Sequence, residues 1–202
     1  MIAIAVSFHL AMKTPSIPLW RMTRTRYERL VDAGIFSTED RVELLDGLLV
    51  AREPQGSLHA MAVGLTRTAL ERAFGRSYHV REEKPVALDD LSEPEPDIVV
   101  VRGGLRDHRT HPSSPVLVAE VADTSLAFDR VRKGALYARA GVADYWVLNL
   151  VNDVLEVYRE PVRTPSPRGG WKYASVRLLK RNATVAPLAA PRARIRIAAL
   201  LP

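Results

Sequence analysis

Apolar positions begin to repeat in "TRTRYERLVDAGI", where Tyr27, Leu30 and Val31 share one helical face and Gly34 stops it. "RVELLDGLLVAR" follows as two apolar runs around Asp46 and Gly47. That dipeptide suits the two positive-φ positions of a type I′ turn and predicts a β-hairpin. "SLHAMAVGLTRTALERAFG" predicts a second helix with Ser57 as a candidate cap. Strands are predicted at "SYHVREEKPVAL", "DIVVV" and "VLVAEV", and residues 125–140 read as a third helix closed by Gly141. "DYWVLNL", "DVLEVYRE" and "KYASVRLLK" are further strands, and "VRTPSPRGG" is the loop between the last two. "ARIRIAALL" predicts a final edge strand. The order of helix, hairpin, helix, strands, helix and strands, with no repeat and no linker-like stretch, predicts one α/β (α+β) domain over residues 23–202.

The first stretch, "MIAIAVSFHLAM", is apolar but too short to span a bilayer, and it lacks the basic residues that open a secretory signal. Residues 1–22 are therefore expected to be an N-terminal extension outside the fold, with Met22 as an alternative start. No other segment is long enough to cross a membrane. The absence of cysteine excludes disulfides, thiolate zinc sites and cysteine nucleophiles, and it fits a cytoplasmic protein.

Charge narrows the partners. Lys and Arg number 29 against 23 Asp and Glu, a formal net charge of +6, which favours polyanions such as nucleic acid. The charge is unevenly placed. Arg81 to Asp97 holds seven acidic residues, whereas Arg159 to Arg196 holds ten basic residues opposed only by Glu160. Either cluster alone is an ordinary solvated face. Together they suit a chain that holds a cation at one place and a phosphate backbone around it.

The chemistry concentrates where "VLVAEV" carries Glu120. "DIVVV" and "VLVAEV" are joined by a connection that lets them pair antiparallel, so Asp97 at the start of one should meet Glu120 near the end of the other. Period-2 alternation puts Glu120 on the same face as Val116 and Val118. A carboxylate there is costly to bury unless it is paired or metal-bound, and a divalent cation relieves the repulsion between two facing carboxylates. Taken alone, Glu120 also fits a strand-end residue reaching water or an arginine, and Asp97 a turn residue after Pro96. Lys133 adds a third element. At 100° per residue it shares a stripe with Leu126, Tyr137 and Ala140, so it faces inward while Arg132 and Arg139 face solvent. Asp129, four residues earlier, offers it an ordinary helical ion pair instead. Two carboxylates and an inward lysine at one end of a sheet suit magnesium and a phosphate under attack. Tyr145 and Trp146 open an apolar strand and are expected in a core or interface rather than as a base-stacking platform. His108 and His111 lie in a loop rich in Arg, Ser and Pro and are expected in solvent.

At these residues the chain resembles the Uma-two family of restriction-endonuclease-like proteins, within the PD-(D/E)XK nuclease superfamily. The likeness rests on "RVELLDG", "EPDIVVV", "EVADTSLAFDRVRKGALYARAGVADYW" and "PLAAPRARIRIAALLP". It implies a restriction-endonuclease-like fold, a central mixed β-sheet of about four to six strands flanked by helices. It implies a metal-dependent endonuclease that hydrolyses phosphodiester bonds of DNA, with Mg²⁺ or Mn²⁺ held by Asp97 and Glu120. The alternative is a catalytically inactive nucleic-acid-binding module on the same fold. The lysine usually found two residues after the glutamate is absent here, where Ala122 stands, and the resemblance places its function on Lys133. Glu43, His59, Tyr137 and Asp129 match further family positions that line the site. His59 by itself fits a packed, hydrogen-bonded histidine better than a base. Cutting both strands of DNA would suit a homodimer, though no residue demands one.

Overall fold

The computed structural model of the protein describes residues 18–36, 39–52, 54–165 and 170–202. The predicted extension at 1–22 thus lies mostly outside the described residues, but its end is tied down: the Met22 N–H donates to Gly47 O at 2.8 Å. Helix α1 spans Arg24–Asp32 and leads to strands β1 (Val42–Leu45) and β2 (Leu48–Ala51), which form the expected hairpin. Asp46 and Gly47 have φ of 51° and 77°, as the type I′ turn requires. Gly47 has a second reason to be glycine, because a Cβ there would lie 2.6 Å from Arg21 Cβ.

The main sheet has six strands in the order β3-β4-β5-β6-β7-β8. These are β3 (Tyr78–Glu82), β4 (Ile98–Arg102), β5 (Leu117–Ala122), β6 (Asp144–Asn149), β7 (Val154–Arg163) and β8 (Trp171–Lys180). Every neighbouring pair is antiparallel except β5 and β6, so the sheet is mixed. The exception follows from connectivity, since parallel neighbours need a crossover and the helical stretch after β5 provides it. β5 and β6 are buried along their whole length, in keeping with central strands covered on both faces.

Helix α2 (Ser57–Phe74) covers one face, packing Ala62, Val63, Leu70 and Phe74 against Val80, Ile98, Val100, Ala119 and Val121. Each of its larger apolar side chains contributes roughly 1.5–3 kcal/mol by leaving water. The other face is covered by the segment after β5, where Tyr137 and Ala138 meet Val99, Val118, Tyr145, Val147 and Tyr173. Tyr145 and Trp146 are both fully buried, one in each layer, as core residues.

Three elements differ from expectation. The third helix is not uniform: α3 (Leu126–Phe128) runs into a π turn over Asp129–Lys133 before α4 (Gly134–Arg139). The predicted long strand from 77 stops at Glu82, because Glu83 takes a φ of 48° and turns the chain. The C-terminal apolar run is not an edge strand of the main sheet. Ile195–Arg196 (β10) pairs only with Thr184–Val185 (β9), and a short 3-10 turn at Ile197–Ala199 then buries Ile197 and Leu200 against the α2 layer. Its alternating apolar residues are explained by that burial as well as by a strand. Among the described residues no helix is long and apolar enough to cross a membrane.

Candidate functional site

The β4–β5 register aligns Ile98 with Ala119, so Asp97 and Glu120 meet one step further along. They hold each other through main chain. The Asp97 N–H donates to Glu120 Oε2 at 3.3 Å, and the Val121 N–H donates to Asp97 Oδ2 at 2.7 Å. Lys133 reaches back from the π turn with its Nζ 3.0 Å from Glu120 Oε1 and 3.4 Å from Glu43 Oε1. Tyr137, one turn further on, donates to the same Glu120 oxygen at 2.6 Å from a fully buried position. His59, near the start of α2, brings Nε2 to 3.3 Å from Asp97 Oδ2, while its Nδ1 is buried without a hydrogen-bond partner.

Glu43 arrives from the hairpin. Its Oε2 accepts the Glu95 N–H at 2.9 Å, which pins β1 to the segment leading into β4. Asp129 does not form the helical ion pair with Lys133 that four-residue spacing offered. Its carboxylate accepts the Ser125 Oγ–H at 2.6 Å, and Lys133 turns to the glutamates instead. The π turn contributes to this: the Gly134 N–H donates to Asp129 O five residues back, and Tyr145 OH donates to the same carbonyl at 3.0 Å.

Glu43, His59, Asp97, Glu120, Asp129 and Lys133 line one cleft of about 400 Å³. Tyr137 lies behind it as support for Glu120. All seven residues singled out from the sequence are therefore gathered at one end of the sheet. Other participants carried little signal in the sequence: the Val121 and Glu95 amides act through main chain, Gln55 on the cleft wall belongs to no motif, and Phe128 sits in a family block without a role of its own. Ser125 was visible only as the first residue of the expected third helix.

Electrostatics set these groups apart. Burial pushes the Glu120 carboxyl up to about 8, and the charges of Asp97, Asp129 and Glu43 add to that rise against the opposing pull of Lys133. Burial likewise lifts Asp129 to about 6. Asp97 moves the other way. Burial works against its charge, but the hydrogen bond and charge of His59, with Lys133 and the Val121 amide, hold it below the usual carboxylate range. His59 is raised by Asp97 in spite of its burial, and the surrounding carboxylates keep buried Lys133 fully charged. Four carboxylates thus crowd around one ammonium and one histidine.

That donor set fits a hard divalent cation in kind, since Asp97 and Glu120 offer oxygen ligands within an excess of negative charge. Among the described residues no three His, Asp or Glu side chains converge as a ligand set. Two carboxylates, with water and a phosphate oxygen completing the shell, is the arrangement magnesium commonly accepts.

The comparisons with known proteins agree with this architecture. A crystal structure described as "a putative nuclease belonging to DUF820 from Anabaena variabilis ATCC 29413" superposes with a TM-score of 0.68 at 16% identity, covering 89% of this chain and 97% of that one. At that identity the likeness concerns the fold. No curated protein matches the chain. The sequence profile of the Uma2 family, described as "Putative restriction endonuclease", matches residues 25–194, and by that match the chain belongs to the Uma2 family.

Proposed function

We propose that this protein is a metal-dependent endonuclease that hydrolyses phosphodiester bonds of DNA. The observation that carries the proposal is the convergence of Asp97, Glu120 and Lys133 on one cleft end, with the carboxylates in excess of the cations. The family's description and the net charge of +6 support a nucleic-acid substrate.

Asp97 and Glu120 would hold magnesium or manganese, which when bound polarises the phosphate and lowers the pKa of a coordinated water. Lys133, anchored between Glu43 and Glu120, orients the attacking water and offsets negative charge developing on the phosphate. His59 fixes the rotamer of Asp97. Water adds to phosphorus, the bond from phosphorus to the leaving oxygen breaks, and a proton from the water ends on that oxygen, so one water is consumed per cut.

The test is incubation of supercoiled plasmid DNA with the purified protein and magnesium, manganese or EDTA. Conversion to open-circular or linear DNA with either metal, absent with EDTA and lost in Asp97→Ala and Lys133→Ala, is expected. No cutting with either metal, or cutting that survives both substitutions, overturns the proposal. DNA binding that persists without cutting and falls steeply with salt would instead favour a binding module on this fold.

A further inference from the structure

One side chain in the cleft has no part in the chemistry above. Phe128, the last residue of α3, lines the cleft together with Val50, Ala51 and Pro54. It is only partly buried, and it joins neither of the two hydrophobic clusters that fill the layers on either side of the sheet. Among the described residues it contacts no other aromatic ring, although most other aromatic side chains do, in tilted, edge-on or stacked pairs. Its neighbour Leu126 packs against the core, and the next residue, Asp129, turns its carboxylate to Ser125. The local backbone therefore presents Phe128 to the cleft rather than to the interior. Val50 shares this exposure because it pairs with Glu43 in the hairpin and so stands on the face from which Glu43 reaches Lys133.

The cleft thus combines an acidic floor with an apolar, aromatic wall. Its volume of about 400 Å³ is in the range that encloses one small ligand, and a base paired within a duplex could not enter it. We infer that the cleft receives an unpaired nucleotide, with its base stacked on Phe128 and its phosphate directed to Asp97 and Glu120, so that the preferred substrate is single-stranded DNA or an unpaired strand within a duplex. Stacking on an aromatic ring accepts any base, because every base has a π face. The inference rests on the nuclease reading for the fate of the phosphate, but the base pocket is separately testable.

The experiment measures equilibrium binding, with Ca²⁺ present to balance the cleft carboxylates and the DNA checked to be uncut, of a fluorescent single-stranded DNA oligonucleotide and of its duplex to wild type, Phe128→Ala and Phe128→Trp. Wild type should bind the single strand more tightly than the duplex. Phe128→Ala should weaken single-strand binding by roughly 5- to 150-fold with little change for the duplex, and Phe128→Trp should restore it. Because Phe128 lies outside both core clusters, thermal unfolding of the variants should match wild type. Equal affinities of wild type for single strand and duplex, or equal losses for both in Phe128→Ala, would overturn the inference. Plasmid cutting with unchanged single-strand binding in Phe128→Ala would remove the base pocket and leave the nuclease reading intact. Phe128-dependent single-strand binding without any metal-dependent cutting would do the reverse.

Discussion

Glu120 and Glu156 occupy equivalent places in the sheet and behave in opposite ways. The register runs Glu120 to Val147 to Glu156, so both lie in one cross-strand row on the same face, and both are almost fully buried. The same π turn serves each, with Lys133 reaching Glu120 and Arg130 reaching Glu156. Glu156 is fully answered. Arg130 donates Nε at 3.0 Å to one oxygen and Nη2 to the other, and Asn149 and Tyr158 each add a hydrogen bond at 2.7 Å. Although burial opposes it, these partners hold the Glu156 carboxyl below its ordinary range. Glu120 has partners too, but it shares its lysine with Glu43 and has Asp97 and Asp129 close by, so its carboxyl is pushed up to about 8. A bidentate guanidinium with neutral donors makes a buried carboxylate structural. Crowding several carboxylates around one ammonium leaves negative charge that a bound proton relieves and a divalent cation would relieve in its place.

Substitution should separate the two glutamates. Glu120→Gln removes the charge but keeps the shape, and we expect plasmid cutting to fall by roughly 10²- to 10³-fold while thermal unfolding stays at or above the wild-type temperature. Glu156→Gln should do the opposite. Breaking its pair with Arg130 is expected to lower stability by about 2 kcal/mol in denaturant unfolding, with activity per folded molecule within a few-fold of wild type.

A third buried carboxylate sharpens the contrast. Glu93 has one oxygen buried without a hydrogen-bond partner, and burial together with Glu28 raises its carboxyl to about 7. Since that lies above the unfolded value of 4.5, the folded protein holds the proton more tightly than the unfolded chain. The stability it contributes is complete below pH 4.5 and is lost as pH rises toward 7. Glu93→Gln should therefore flatten the fall in unfolding temperature across that window by on the order of 2–4 °C, as read by calorimetry. The smallest effect is expected for Tyr137→Phe. It deletes one hydrogen bond to Glu120 and should cost about 1 kcal/mol of stability, with cutting reduced by less than about tenfold.

Much of this contrast could be read from the chain. Asp97 and Glu120 were placed together by a hairpin argument that needed only the order of two apolar runs, and Lys133 was marked as inward by its stripe. Glu43 and His59 had no such pattern, because they come from elements distant in sequence, and only the family resemblance pointed to them. The Arg130–Glu156 pair was invisible for a related reason: its two residues stand 26 positions apart on different elements, and no pattern in either stretch links them. The cleft wall at Phe128 carried no signal, because at 100° per residue Phe128 falls on the side of Arg132 and Arg139, away from the Lys133 stripe. The C-terminal run misled because short apolar alternation suits a buried 3-10 turn as well as a strand.

The proposed function requires the cleft carboxylates, and not the equally buried Glu156, to hold a divalent cation, and calorimetric titration with Mn²⁺ reads that binding without any DNA. Binding by wild type and Glu156→Gln, lost in Asp97→Asn and Glu120→Gln, is the predicted result; no binding by folded wild type, or equal binding by all four proteins, would contradict it.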